Sequence, residues 1–160
     1  MEFTEVLKNG CYCLHLKGET KEDIIEEMVD LLVNGGKISS DDREAVLTAI
    51  REREKKMSTG VQHGVAIPHG KTDVVDELVT AVALKPEGID FRSLDGEPSR
   101  IFVMTVSSVL RSGPHLQYLA EISKILNVPS FREKILKVES EEELLALLTE
   151  PDSAGAGKDE

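Results

Sequence analysis

The stretch HGVAIPHG, residues 63–70, decides how this chain is read. A short apolar run, Val65-Ala66-Ile67, ends at a proline, and a histidine and a glycine follow at once. Proline fixes its own φ and lacks an N–H, so it cannot donate in a central strand. The pattern predicts a short buried strand whose regular pairing stops at about Ile67. His69 then emerges at the carboxyl end of that strand, where ligand crevices form in open α/β sheets. Gly70 has no Cβ, so a ligand or a partner backbone can come close. His69 reads in two ways: as a neutral nitrogen nucleophile near pH 7, or as a ring that caps a strand end through a hydrogen bond.

Outward from that stretch, LVTAVALK (78–85) and RIFVMTV (100–106) are strands apolar enough to be covered on both faces. GIDFRSLDGEP between them is turn-rich. CYCLHLK (11–17) alternates in period two and predicts a first strand with Tyr12, Leu14 and Leu16 on one face. Thr20, with Asp23 three residues on, caps a helix whose apolar stripe is Ile24, Ile25, Met28, Val29 and Leu32; Asn34-Gly35-Gly36 ends it. A second helix starts near Ser40 or Asp41, with Glu44 completing a capping box. Its stripe is Val46, Ala49 and Ile50, and Ser58-Thr59-Gly60 breaks it. Gly113-Pro114 opens a third, from about His115 to Leu126, with Leu116, Leu119, Ala120, Ser123 and Leu126 facing in. Ser130 with Glu133, and Ser140 with Glu143, cap two short helices. Strands mixed with helices of this length indicate an α/β sandwich. One domain over residues 1–150 and a disordered acidic tail over 151–160 are expected.

The net charge of −11 repels phosphate backbones and anionic lipid, which argues against nucleic-acid and membrane-surface roles and suits a partner with a basic face. No apolar stretch approaches the roughly 20 residues of a membrane-spanning helix, and MEFTEVLKNG is no secretory signal, so the expected location is the cytoplasm. Cys11, Cys13 and His15 share a strand face, but zinc needs a fuller ligand set than this chain's two cysteines supply. Small buried thiols in a reducing compartment are the expectation, with no metal and no cofactor.

Two further residues bear on His69. Arg53 lies seven residues after Val46, which at 100° per residue places it within about 20° of Val46 on the inward line of the second helix, while Arg51 points away. Such an arginine either snorkels or reaches an anion inside. His115 falls in the first turn of its helix, where partial positive charge and unpaired N–H groups favour anions and disfavour an imidazolium; a surface histidine at a helix start is the alternative. Together they could form a phosphate-sized site with His69.

The run REREKKMSTGVQHGVAIPHGKTD (51–73), followed by GIDFRSLDGEP (88–98) and GPHLQYLAEISKIL (113–126), resembles the EIIA domain of the bacterial phosphoenolpyruvate-dependent sugar phosphotransferase system. The likeness is to the fructose/mannitol type, including the stand-alone nitrogen-related form, and runs from about residue 3 to 149. It implies a mixed, mostly parallel sheet flanked by helices on both sides. It implies that His69 accepts a phosphoryl group from phosphorylated HPr, through Nε2. It also implies that Arg53 stabilises that group, that His115 supports without accepting, and that the group passes to a sugar permease domain, EIIB. His63 matches no motif histidine and reads as a loop residue. Ser107-Ser108-Val109-Leu110-Arg111 departs from the proline-containing stretch many members carry.

A regulatory module of the nitrogen-related kind, binding proteins according to its phosphorylation, is the second reading. A metal-dependent hydrolase built on His63, His69 and the CYCLH row is a third; it lacks carboxylates at ligand spacing around His69, Asp73 being the nearest. A phosphoryl transfer between histidines needs no metal, because positioning and electrostatics carry it.

Overall fold

Period-two alternation sorts the two longest strands cleanly, and the whole architecture follows from it. In a computed structural model, which describes residues 3–110 and 112–150, Ala81 and Ala83 of one strand and Phe102, Met104 and Val106 of its neighbour face one layer of helices. Val82, Leu84, Ile101 and Val103 face the other. Both faces are buried, as the near-continuous apolar runs require.

In chain order the elements are α1 (Phe3–Lys8), β1 (Cys11–Cys13), α2 (Lys21–Asn34), a 3-10 turn (Ser40–Asp42), α3 (Arg43–Lys56), β2 (Gly60–Gln62), β3 (Val65–Ala66), β4 (His69–Thr72), β5 (Val79–Ile89), β6 (Ser99–Ser108), α4 (Ser112–Leu126), α5 (Pro129–Leu136) and α6 (Glu141–Thr149). The sheet runs β1-β5-β6-β3-β2, and β4 also pairs with β6. It is mixed: β1–β5, β3–β6 and β4–β6 are parallel, while the long β5–β6 pairing and β2–β3 are antiparallel. Helices α2 and α3 cover one face; α1, α4, α5 and α6 cover the other.

Several local expectations hold at the level of single hydrogen bonds. Thr20 accepts from the Asp23 N–H at 3.1 Å, and Ser140 from the Glu143 N–H at 3.0 Å, which satisfies otherwise orphaned helix donors. The stripe of α2 is buried as read, and Gly36, at φ 77°, takes the left-handed conformation that follows the helix end.

Other expectations are corrected. The first strand is only three residues long. A bend at Leu14-His15 shifts the phase, so Tyr12 and Leu14 pack with the layer of α1, α4, α5 and α6 while Leu16 packs with the α2–α3 core. Ser39, not Ser40 or Asp41, caps the 3-10 turn before α3 by accepting from the Asp41 N–H, and Glu44 pairs with Arg43 rather than closing a capping box. Val128, without a side-chain bond, precedes α5, whose first position is Pro129; Ser130 lies inside.

The stripe of α4 is rotated by one residue from the reading. His115, Tyr118, Ile122 and Leu126 face the sheet; Leu119 is half-buried, and Leu116, Ala120 and Ser123 are exposed. Two apolar rows overlap in this helix. The inner one contains Tyr118 because its hydroxyl finds the Thr80 hydroxyl at 2.9 Å, so a polar side chain can be buried there. Pro68, finally, interrupts pairing rather than ending it. Its carbonyl accepts from the Thr105 N–H at 3.0 Å, and the chain pairs again with β6 from His69 to Thr72. The expected tail, 151–160, lies outside the described residues.

Candidate active site

The backbone around His69 is pinned at three successive residues. The Ile67 N–H donates to the Thr59 carbonyl at 3.0 Å, the Pro68 carbonyl holds Thr105, and His69 itself registers with Thr105 in the β4–β6 ladder. Gly70 lets this strand press against α3: a Cβ there would lie 3.1 Å from the Ala49 carbonyl carbon and the Ile50 nitrogen. That close approach brings Arg53, one turn further along α3, to the same cleft as His69.

The cleft has a volume of about 560 Å³, and Thr48, Arg53, Lys56, His69, Lys71 and His115 are among the residues lining it. The rings of His69 and His115 stand 5.5 Å apart, centre to centre, at 55°. Of the three residues singled out in the sequence, all line this one cavity. Three cationic side chains in one cleft of a chain with net charge −11 make a local field of opposite sign, suited to a small anion.

The protonation states follow from the neighbours. His69 Nδ1 lies 2.8 Å from the Ile67 carbonyl. A carbonyl only accepts, so Nδ1 carries the proton and Nε2 keeps its lone pair. Burial holds the His69 pKa below its ordinary value, the nearby Arg53 and Lys71 charges push the same way, and the Ile67 bond and Glu54 oppose them. His115 is 2% exposed. Burial, then the charges of His69 and Lys71, lower its pKa to about 4. Both rings are therefore neutral at pH 7.

Arg53 is half-buried, and its Nη1 donates to the Met57 carbonyl at 2.8 Å, which fixes the guanidinium across the end of α3. Its neighbour Glu54 faces inward. Glu54 accepts from the Thr59 N–H and hydroxyl, both at 2.7 Å, and pairs with Lys21 at 2.8 Å. This ties the end of α3 to the very residue whose carbonyl pins Ile67. Arg51, as expected, points elsewhere, to Glu22 and Glu26 of α2.

Sequence reasoning missed Lys71 and Glu54, and it turned Leu116 inward, whereas Leu116 is 61% accessible at the cleft edge. Lys71 was legible in principle: it is two residues after His69, on the same strand face, had the strand been carried past Pro68. The other histidines stand apart. His63 sits in the β2–β3 hairpin at φ 59°, its N–H bonded to Asp95 Oδ2 at 3.0 Å, away from the cleft. Cys11 and Cys13 are half-buried free thiols, their pKa values pushed up by burial, which suppresses thiolate chemistry. No group of three or more His, Cys, Asp or Glu among the described residues is arranged to hold a metal ion.

Fold and cleft together define a mixed α/β domain that presents a neutral histidine nitrogen beside a guanidinium. Residues 5–150 match the family model described as the phosphoenolpyruvate-dependent sugar phosphotransferase system, EIIA 2, and the chain belongs to that family. It is 40% identical over 131 residues to the fructose-specific EIIA component of Haloferax volcanii, covering 82% of this chain and 84% of that protein. It is 34% identical over 152 residues, 95% of this chain, to the fructose-specific EIIABC component of Bacillus subtilis, of whose length it spans only 24%. Among solved structures, the nitrogen regulatory protein IIA-Ntr of Neisseria meningitidis superposes with a TM-score of 0.82 at 31% identity, over 91% of this chain and 98% of that one. A complex of the mannitol enzyme IIA with phosphorylated enzyme IIB from Escherichia coli matches with a TM-score of 0.71 at 26% identity, over 86% and 92%. No helix among the described residues is long and apolar enough to cross a membrane.

Proposed function

We propose that this domain is a phosphoryl carrier that takes a phosphoryl group from phosphorylated HPr onto His69 Nε2 and passes it to an EIIB domain of a sugar permease. The observation that carries the reading is the bond from His69 Nδ1 to the Ile67 carbonyl, which leaves Nε2 as the nucleophilic nitrogen. In the forward step an N–P bond forms at His69 Nε2 as the N–P bond of the donor histidine breaks, with no net gain or loss of protons. The transition state is loose and spreads charge over the equatorial oxygens, so the protein acts by positioning and electrostatics. Arg53 supplies guanidinium donors to those oxygens, Lys71 adds charge, and the α4 N-terminus adds its partial positive end. His115, neutral, donates a hydrogen bond to the phosphoryl group or orients His69, and is not itself the acceptor.

EIIB as acceptor is favoured by the complex of the two mannitol enzymes from Escherichia coli and by the EIIABC composition of the Bacillus relative. The exposed Leu116 beside the cleft supplies apolar surface for a docking protein. A fructose permease is the preferred destination, given the Haloferax relative. The likeness to IIA-Ntr favours a second reading, a regulatory EIIA whose phosphorylation state selects protein partners.

The test is labelling by radioactive phosphoenolpyruvate with purified enzyme I and HPr. Wild type should carry acid-labile, base-stable label. His69→Ala should carry none, and His115→Ala should label more slowly. A His69→Ala protein that labels like wild type while His115→Ala does not would reverse the roles. Transfer of the label onward to a fructose-type EIIB separates transport from regulation: no onward transfer from a fully labelled protein would favour the regulatory reading.

A further inference from the structure

Among the described residues, three buried polar side-chain atoms have no hydrogen-bond partner: Thr105 Oγ1, Ser107 Oγ and His115 Nδ1. Their placement is not scattered. In the β4–β6 ladder His69 registers with Thr105 and Lys71 with Ser107, so these four side chains share one face of the sheet. It is the face of Val103, packed under α4, the helix that carries His115. Thr105 and Ser107 are 0% and 1% exposed. The neighbouring Thr80 is already committed, bonded to the Met104 carbonyl at 3.0 Å and to Tyr118. Unpaired buried polar groups are rare and costly, and a cluster of three at one site calls for an explanation.

We propose that Thr105 and Ser107 are positioning residues for His115: one of their hydroxyls, through a single buried water that it orients, presents a donor to Nδ1 and so places the ring proton on Nε2, at the edge facing the cleft. His115 lines the cleft while its Nδ1 is buried, so Nε2 is the nitrogen available to an anion. A phosphoryl oxygen accepts hydrogen bonds, so the useful tautomer has its proton on Nε2 and a lone pair on Nδ1. That lone pair needs a donor beneath it, and a serine or threonine hydroxyl can rotate to hold a water that provides one. With the His115 pKa near 4, the ring is neutral at working pH and its tautomer is a real choice. The two imidazoles would then be set in opposite senses. His69 is held with Nε2 bare for attack, and His115 with Nε2 protonated for donation. What the hydroxyls do for transfer rests on the phosphocarrier reading; where the His115 proton sits does not.

The experiment uses the full chain labelled with 15N and reads the histidine ring nitrogens by long-range 1H–15N correlation at pH 7.5. Wild-type His115 should show a protonated Nε2 and a bare Nδ1, in a single tautomer. The Thr105→Val/Ser107→Ala double variant should shift both signals toward a tautomeric average and slow phosphoryl uptake from phosphorylated HPr by about threefold to tenfold, the worth of one net hydrogen bond. Thr105→Ser, which keeps the hydroxyl, should retain the wild-type tautomer and guards against a folding artefact. In a His115→Ala background the same double substitution should change the rate less than twofold, whereas a merely structural role would cost the same as in wild type. A proton on Nδ1 in wild type, an unmoved tautomer in the double variant, or an equal rate loss without His115 would overturn the assignment. A chain that takes no phosphoryl group at all would sink the phosphocarrier reading and leave the tautomer measurements to decide the positioning.

Discussion

His115 is buried as a neutral base, and that has a thermodynamic consequence that can be worked through. Its pKa is about 4 in the folded protein, against an ordinary 6.5 when the chain is unfolded. Between those values the unfolded chain binds a proton that the folded one refuses, so stability falls as pH drops below about 6.5 and is fully present above it. At pH 5 the unfolded state gains about 2 kcal/mol from this one group and the folded state almost nothing. His115→Gln removes the titration while keeping a polar side chain. Urea unfolding of both proteins at pH 7 and pH 5 gives the comparison, because the other titrating groups largely cancel. Wild type should lose about 2 kcal/mol more than the variant on going to pH 5, part of it through relief of the neighbouring His69. Equal losses would mean that His115 takes a proton freely in the native cleft, and the account of two neutral imidazoles would fail.

The close approach of β4 to α3 predicts that Gly70→Ala pushes the helix away, because the new methyl meets helix backbone at 3.1 Å. About 1–3 kcal/mol of stability should go, measured by urea midpoint, together with transfer rate as Arg53 moves off His69. Glu54→Gln should cost about 2–3 kcal/mol in the same assay, since Lys21 and the Thr59 donors lose a buried carboxylate. Arg53→Lys should slow labelling roughly 100-fold, leaving the unfolding midpoint within about 0.5 kcal/mol of wild type, because an ammonium cannot replace the forked donors.

Much of this was legible in the residues alone, for identifiable reasons. The sheet's two-faced burial is written in the apolar runs of β5 and β6, and the α2 boundaries in Thr20 and Gly35-Gly36, because each depends on local chemistry alone. Arg53 was found by helical geometry within α3, and the resemblance to the EIIA family named it with His69 and His115 as site residues. What failed depended on tertiary partners. The phase of α4 turns on Tyr118 meeting Thr80 across the layer, which no periodicity reports. Leu16 changed face because two residues of bend undid the alternation of β1. Pro68 alone predicts an end, because a missing N–H stops pairing locally. The ladder resumes at His69 because β6 is long enough to receive both β3 and β4. Thr105 reads as an ordinary strand residue and Ser107 as the start of the stretch after the strand; β6 instead runs on to Ser108, and its register sets both beside His69 and Lys71.

The central claim is that His69 Nε2 is the phosphoryl-accepting atom, and one spectrum tests it directly. The full chain, labelled with 15N in its histidines, is phosphorylated by phosphoenolpyruvate, enzyme I and HPr, and the 15N–31P coupling identifies the bonded nitrogen. The account predicts coupling to Nε2 of His69, with Nδ1 still protonated against the Ile67 carbonyl. Coupling to Nδ1 of His69, or to either nitrogen of His115, would contradict it.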